Sequence, residues 1–377
     1  MTESGAHRST ATPPRVSVVV PTWNGEALLP MVLDSLRRQT FTDFEVIVVD
    51  NGSRDRSLEL LHREYPEVRV VALSENRGFS GGCNAGILAS RGEMVALVNN
   101  DVELDPFWLQ ALVEGMDQEP RAGFAASRIR QYWNRNLLDS AGDRVGLSPE
   151  GRGQGNPDGP EFDRPAWVTS ACCAAAIYRR TMLEEVGLFN EDFFAYFEDV
   201  ELGMRCQIAG YRCLYIPTAV VYHIGSATSA RIPRFKVYHG LRNMVYLYFT
   251  TFPVAYAIRH LPRLMVAKSW FVLREGGFWT GVKAGSAVIW NAPRMIRRRR
   301  RTFALRRVSD QVLETLLDPP RPLSLALLRE KLLGDPPAAP AVRDEYGAPR
   351  VASAVPTQPE EREPSAQARP HISRVLL

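Results

Sequence analysis

Val16-Ser17-Val18-Val19-Val20-Pro21-Thr22-Trp23-Asn24-Gly25 is followed, some twenty residues on, by Glu45-Val46-Ile47-Val48-Val49-Asp50-Asn51-Gly52-Ser53. Each segment is a short apolar run, rich in β-branched residues, that ends on a polar turn. Such runs read as strands buried on both faces. Between them Ala27–Gln39 places Leu28, Met31, Val32 and Leu36 at helical spacing. Outward from this unit the pattern repeats. Ser57–Glu64 predicts a short helix, Val68–Leu73 a third strand, Gly78–Ser90 a glycine-rich loop and helix, and Met94–Val98 a fourth strand ending at Asn99-Asn100-Asp101. Strands alternating with helices imply a mostly parallel sheet with helices on both sides. In such sheets ligands sit beyond the carboxyl ends of the strands, where Thr22–Asn24, Asp50–Ser53 and Asn99–Asp101 all fall.

After Phe107–Met116 the pattern loosens. Gly142–Pro165 is rich in Gly, Pro and Asp and predicts a long loop or lid. Trp167–Tyr178 reads as one apolar strand region, Thr181–Val186 as a short helix and Ala195–Ala209 as a helix closed by Gly210. Arg212–Pro217 and Val220–His223 predict two short strands. The expected organisation is a loose tail over 1–14, an α/β domain over 15–230, a basic, aromatic helical region over 231–333 and a disordered tail over 334–377.

Charge separates these regions. The 377 residues hold 46 Lys and Arg against 42 Asp and Glu, a net charge of +4. Arg231 to Asp310 alone carries 17 basic residues against Glu275 and Asp310, a local net of +15, while the chain before it carries −10. Aromatic and basic residues interleaved on short apolar helices suit an anionic membrane surface. The same run also fits a helical subdomain with a solvated face. Nucleic acid is not expected, because no nucleic-acid motif accompanies the arginines. The apolar runs are too short to span a bilayer, and five cysteines without a Cys-x-x-Cys read as reduced thiols. The expected location is cytoplasmic, peripheral on the inner face of the plasma membrane.

Several clusters can carry chemistry. Asp50, at a strand end, can accept from a ribose hydroxyl or a base N–H, or simply shape the turn. Asn99-Asn100-Asp101 can hold Mg²⁺ or Mn²⁺ with diphosphate oxygens completing the octahedron, or form a polar turn. Asn76–Gly86 lets backbone approach an anionic ligand, or packs a helix tightly on the sheet. It fits neither Gly-x-Gly-x-x-Gly, with Ser80 where Gly is needed, nor the P-loop, which argues against a dehydrogenase or kinase. Glu198-Asp199, behind an aromatic lead-in, supplies two carboxylates at a helix start, for base catalysis or for the helix dipole alone. His223 can bind a metal, or a diphosphate together with Ser226.

Taken in order, Val18–Asn24, Val48–Ser53, Asn76–Gly86, Asn99–Val102, Phe197–Val200 and His223–Ser226 resemble the family 2 glycosyltransferases of the GT-A fold, near their rhamnosyltransferase-like bacterial branch. The resemblance covers about residues 16–230. It implies a GT-A nucleotide-diphospho-sugar transferase fold with a C-terminal helical, basic appendage. It implies an inverting, metal-dependent hexosyltransferase in cell-surface glycan synthesis, acting on a nucleotide-sugar, with rhamnose from dTDP-rhamnose the best single choice. The acceptor would be a polyprenyl-lipid-linked or polysaccharide molecule. By resemblance Thr22, Asn24 and Asp50, with Pro21, bind the nucleoside. Asn76, Gly78, Gly81 and Asn84 line the diphosphate or sugar, and Asn99 and Asn100 belong to the same nucleotide-sugar site. Asp101 ligates Mg²⁺ or Mn²⁺ with His223 near it. Asp199 is the base, and Glu198 assists it or holds the acceptor. The chain departs from the family's frequent Asp-x-Asp in having Asn99 at the first position. A nucleotidyltransferase would share the sheet but leave Glu198-Asp199 without a role, and a non-catalytic binding module would tolerate loss of Asp199.

Overall fold

Burial on both faces turns the valine runs into strands. In the computed structural model, which describes residues 12–146, 149–225, 232, 234–274 and 277–318, every residue of β1 (Val16–Thr22) is buried. Helix α1 (Leu29–Arg37), β2 (Phe44–Asp50), α2 (Ser57–Glu64), β3 (Arg69–Ala72), α3 (Gly78–Ala89) and β4 (Met94–Val98) follow. The next elements are β5 (Val102–Leu104), α4 (Trp108–Gln118), β6 (Ala122–Gln131), β7 (Leu138–Ser140), β8 (Asp143–Arg144), β9 (Glu150–Gly151), β10 (Ala166–Val168), β11 (Ala175–Arg179) and α5 (Arg180–Val186). Helix α6 (Glu198–Ile208) and strand β12 (Arg212–His223) close the sheet, and α7 (Phe235–Thr251), α8 (Val254–Arg274), α9 (Phe278–Ala304) and α10 (Asp310–Thr315) complete the described chain. The tails expected at 1–14 and 334–377 lie outside the described residues, apart from residues 12–14, and so do Ser226 and the expected boundary at 230.

The main sheet runs β10-β12-β6-β11-β4-β1-β2-β3, with β5 beside β12 and β7 beside β6. It is parallel across β3-β2-β1-β4 and between β6 and β12, while β11 lies antiparallel between β4 and β6. Strand order reverses at β1, so its carboxyl end opens the crevice where doubly wound sheets bind ligands. Alternate residues serve opposite faces: Val18, Val20 and Val48 join one buried cluster, while Val19, Ile47 and Val49 join the other with Cys83 and Ile87 of α3. Helix α3 lies close because Gly86 has no side chain, and a Cβ there would meet Val19 Cγ1 at 2.2 Å. Glycine at this position is packing, one of the two roles its run allowed.

A third cluster joins Phe193, Val200 and Met204 to Met244, Leu247 and Phe252 of α7 and to Met295 of α9. The helices of the basic region are therefore packed on α6, the element that carries the acidic pair. Two of them are far longer than the short helices expected: α8 has 21 residues and α9 has 27.

The structure differs from the sequence reading in four further places. The lid segment contains the β8–β9 hairpin. Trp167–Tyr178 is two strands, β10 at the sheet edge and β11 in its middle. The two strands expected before His223 are one, with a register shift between Ile216 and Val220 that accommodates Pro217. Strand β6 was not anticipated. Eight of its ten residues are buried, yet they are mostly small, and the two arginines near its end, Arg128 and Arg130, both pair with Asp158.

Candidate active site

Five of the six motifs are tied to one another by hydrogen bonds at the carboxyl ends of β1, β2 and β4, and the acidic pair is held separately, through Cys173. Asn100 Nδ2 donates to Thr22 Oγ1 at 2.8 Å, joining the turns after β4 and β1. The Asn51 amide N–H donates to the Thr22 carbonyl at 2.8 Å. Asn24, at φ 50°, receives Ser53 Oγ on its backbone N–H at 2.9 Å, and its Oδ1 accepts from the Arg54 N–H at 2.8 Å. Asn51 in turn grips the glycine run: its Nδ2 donates to the Gly78 carbonyl at 2.8 Å, and its Oδ1 accepts from the Arg77 N–H at 2.9 Å. Asn76 Oδ1 accepts from the Gly78 N–H at 2.8 Å. Asp50 is buried and uses Oδ2 to accept from the Ser53 N–H at 3.2 Å, while Oδ1 is buried without a partner. An unsatisfied carboxylate oxygen is costly to bury and suits a hydroxyl or N–H donor from a ligand.

Beside these turns a cleft of about 440 Å³ is lined by Trp23, Asn24, Gly52, Arg54, Ser74, Glu75 and Asn76. That volume falls within the usual range for small-molecule sites. Asn24 and Asn76 were sequence candidates. Trp23, Arg54, Ser74 and Glu75 were not; Trp23, standing inside a polar turn, was the one legible signal. Pro21 and Gly81 do not line this cleft but are buried where α3 packs: a Cβ on Gly82 would lie 3.3 Å from Pro21 Cβ, and one on Gly81 would meet Arg77 Cβ at 2.6 Å. Asn84 is committed elsewhere, its amide donating to the Phe189 carbonyl at 3.0 Å and to Glu191 Oε1 at 2.9 Å.

Asp101 and His223 meet as the sequence proposed. His223 Nε2 lies 3.3 Å from Asp101 Oδ1, and the Ile224 N–H donates to the Asp101 carbonyl at 3.0 Å. His223 Nδ1 pairs with Asp139 Oδ2 at 2.7 Å, a partner on β7 that the sequence did not disclose. Burial pulls the imidazole pKa down, but the charges and contacts of Asp101 and Asp139 outweigh it and raise the ring to about 10. His223 Nε2 lacks a well-aligned hydrogen bond, and Asn99 Oδ1 is buried with no partner. A carboxylate and an imidazole oriented by a second carboxylate can hold Mg²⁺ or Mn²⁺ once the ion displaces the ring's Nε2 proton. Among the described residues no three His, Cys, Asp or Glu side chains form a complete metal cluster. Phosphate oxygens would have to fill the shell.

The acidic pair opens α6, but the helix begins at Glu198 and not at Ala195. Phe194, Tyr196 and Phe197 hold φ values of 65°, 71° and 67°, outside helical space. Asp199 Oδ1 accepts from the Val200 N–H at 2.8 Å and Oδ2 from the Cys173 N–H at 3.2 Å, in the crossing between β10 and β11. Glu198 Oε2 is buried without a partner. Burial, then the Asp199 charge, pushes the Glu198 carboxyl well above its ordinary range. Burial also raises Asp199, against the pull of its two backbone donors. A third carboxyl, Asp143 on β8, is raised by burial and by the Asp199 charge, and its Oδ2 is buried and unpartnered. Of the three, Asp199 has the best-supported anion, which is the property a base needs. Asp143 was missed because short antiparallel contacts, with β9 and with Ser170, bring it here.

The family description "Glycosyl transferase family 2" matches residues 17–187, and "Glycosyl transferase family group 2" matches residues 163–266. Over 254 residues the chain is 28% identical to an N-acetylglucosaminyl-diphospho-decaprenol L-rhamnosyltransferase of Mycobacterium tuberculosis, covering 57% of this chain and 78% of that one. It is 31% identical over 230 residues to an O-antigen biosynthesis protein of Myxococcus xanthus, covering 57% of this chain but only 18% of that relative. Among solved structures, GalNAc-T7 with UDP, GalNAc and Mn²⁺ superposes with a TM-score of 0.54 at 16% identity, over 71% of this chain and 56% of that one. This last likeness is one of fold.

Proposed function

From a chain that belongs to the family 2 glycosyltransferases and has the GT-A fold, we propose an inverting transfer of a sugar from a nucleoside diphosphate to a lipid-linked or polysaccharide acceptor in cell-surface glycan synthesis. The observation that supports it is the set of contacts Thr22–Asn100, Thr22–Asn51, Asn51–Gly78 and Asp101–His223, which joins five of the six motifs, with Asp199 held at Cys173, next to the Ala174 carbonyl that accepts from the Asn99 N–H. The mycobacterial relative's name supports L-rhamnose as the sugar and a polyprenyl-linked acceptor.

In this reading the cleft beside Trp23 and Arg54 takes the base and ribose, with Asp50 Oδ1 free to accept from the nucleoside. Asn76 and the backbone at Gly78 face the diphosphate. Asp101 and His223, with Asn99 Oδ1, would hold Mg²⁺ or Mn²⁺, which neutralises charge on the departing diphosphate. Asp199 accepts the acceptor hydroxyl's proton as that oxygen attacks the anomeric carbon. Glu198, kept protonated by burial, leaves Asp199 the anion and can donate to the acceptor. Thermal shift with a panel of nucleotide-sugars in Mg²⁺ or Mn²⁺, followed by donor hydrolysis, tests the reading. No stabilisation by any nucleotide-sugar would overturn it.

The basic region would bring the acceptor within reach. No helix among the described residues is long and apolar enough to cross a membrane. Helix α9 nevertheless exposes Trp279 (76%), Ile289 (77%) and Trp290 (87%), and α8 exposes Val254, Ile258 and Leu261. Apolar ridges on the most basic part of the chain support an anionic leaflet as partner, which would hold the protein peripherally on the inner face of the plasma membrane. Flotation with liposomes containing anionic lipid is expected, with loss on Trp279→Glu/Trp290→Glu. Flotation unaffected by those changes would remove this face from the interaction.

A further inference from the structure

The loop that delivers the acidic pair cannot hold its shape alone. Three of the four residues from Phe194 to Phe197 have positive φ and none is glycine, so each is held in a conformation that L side chains resist. Its carbonyls turn inward and need donors. Helix α7 supplies them from two adjacent residues. Asn243, fully buried, points Nδ2 at the carbonyls of Phe193, Ala195 and Tyr196 at 2.9, 2.7 and 2.8 Å. Arg242 Nη2 donates to the carbonyls of Asp192 and Phe193 at 2.9 and 2.8 Å. Arg242 Nε also donates to Asn243 Oδ1 at 2.9 Å, which fixes the amide with its NH₂ towards the loop. An amide turned the other way would set an oxygen against three carbonyl oxygens.

The opposite side of the loop touches the donor machinery. Phe194 stacks on His239 of α7, with ring centroids 5.5 Å apart, while its carbonyl accepts from the Ser80 N–H of α3 at 3.2 Å. Gly78 sits at φ +74° against it, where a Cβ would come within 2.4 Å of the Phe194 oxygen. The loop is thus clamped between the glycine run and α7, and α6 starts directly from it.

We infer that Arg242 and Asn243 are positioning residues for the reaction, a clamp from the basic helical region that sets where Glu198 and Asp199 stand. They touch no reacting atom. They act by holding a strained loop whose release would move the carboxylates. The inference rests on the proposed glycosyl transfer for its kinetic arm and on geometry alone for its structural arm.

Both arms use the full chain. In Asn243→Ala, hydrogen exchange at the amides of 193–200 should accelerate at least ~10-fold while β1 and β2 stay protected. Thermal stabilisation by dTDP or UDP with Mn²⁺ should be unchanged. With the nucleotide-sugar identified by the screen, kcat should fall on the order of 10²-fold at an unchanged donor KM, the usual result of misplacing a catalytic group. Arg242→Lys keeps a cation for the carbonyls but loses the Nε donor to Asn243, and should give a smaller change in the same direction. This second variant decides the matter if Asn243→Ala fails to fold. Unchanged exchange at 193–200 in both variants would overturn the inference, as would a loss confined to donor KM. If the wild type transfers no sugar, the functional reading falls and the exchange data still decide the clamp.

Discussion

The donor side and the acceptor side of this site are built by different means. Around β1, β2 and β3 most side-chain contacts join turns that are neighbours in the βα repeat: Asn24 to Arg54, Asn51 to Asn76 and Asp50 to Ser53. Each turn follows its own buried strand, so local sequence places it. Around α6 and His223 the contacts come from outside any βα repeat, and one set of them holds backbone in unusual conformations: Cys173 to Asp199, Asp139 to His223, and Asn243 to the strained loop before Glu198. The first region forms a binding surface from regular structure. The second holds reactive groups in place at a cost in strain.

The comparison breaks most sharply at Asp199. Asp199→Asn should lower transfer by ~10²–10⁴-fold, the usual contribution of a general base, with dTDP or UDP binding unaltered. Turnover within a few-fold of wild type would return the role to Glu198 or Asp143. Next comes the junction of the two sides. Asp139→Asn should weaken Mn²⁺ binding, followed by titration calorimetry with nucleotide present, by ~10–100-fold, as expected for the group that orients a metal-bound imidazole. EDTA should abolish transfer, and Mn²⁺ should restore it; full activity in chelator would remove the metal from Asp101 and His223. On the donor side the effect should be smaller and of another kind: Asp50→Asn should raise the nucleotide Kd roughly 10-fold, for one lost hydrogen bond to a charged group, with kcat at saturation unchanged.

The smallest effect concerns stability. The folded-state pKa of Glu198 is raised above its unfolded value, so the folded protein binds this proton more tightly. Stability is therefore lost as pH rises above the ordinary glutamate range towards the folded pKa. Glu198→Gln removes that loss. Its Tm should exceed that of the wild type by a few degrees at pH 8 and by less at pH 4. Equal differences at both pH values would show that Glu198 is not held protonated.

Legibility in the sequence follows the same division. The strand Met94–Val98 and the helix Ser57–Glu64 have the limits their apolar patterns predict. Thr22 and Asp50 were visible because each ends a strand, and Asn76 and Asp101 because each lies in the polar turn between a strand and the next element. Strand β6 escaped notice because its Ala, Gly and Ser residues fill a tightly packed sheet without bulky side chains to mark a period. Asp139 and Asp143 escaped because short antiparallel pairings, and not a repeating unit, carry them to His223 and Asp199. The start of α6 was set three residues early because nothing local signals that Asn243, about fifty positions later, turns those carbonyls inward.

The Asn243 clamp also sets an order of events during synthesis. As the chain leaves the ribosome, the parallel strands β1 to β4 and their turns emerge first. The segment before Glu198 must wait for a donor 50 positions downstream of Phe193. In the proposed reading, the proton-accepting group would come into register only after α7 has been made, so that transfer would begin no earlier than the synthesis of the helices that would carry the enzyme to its acceptor.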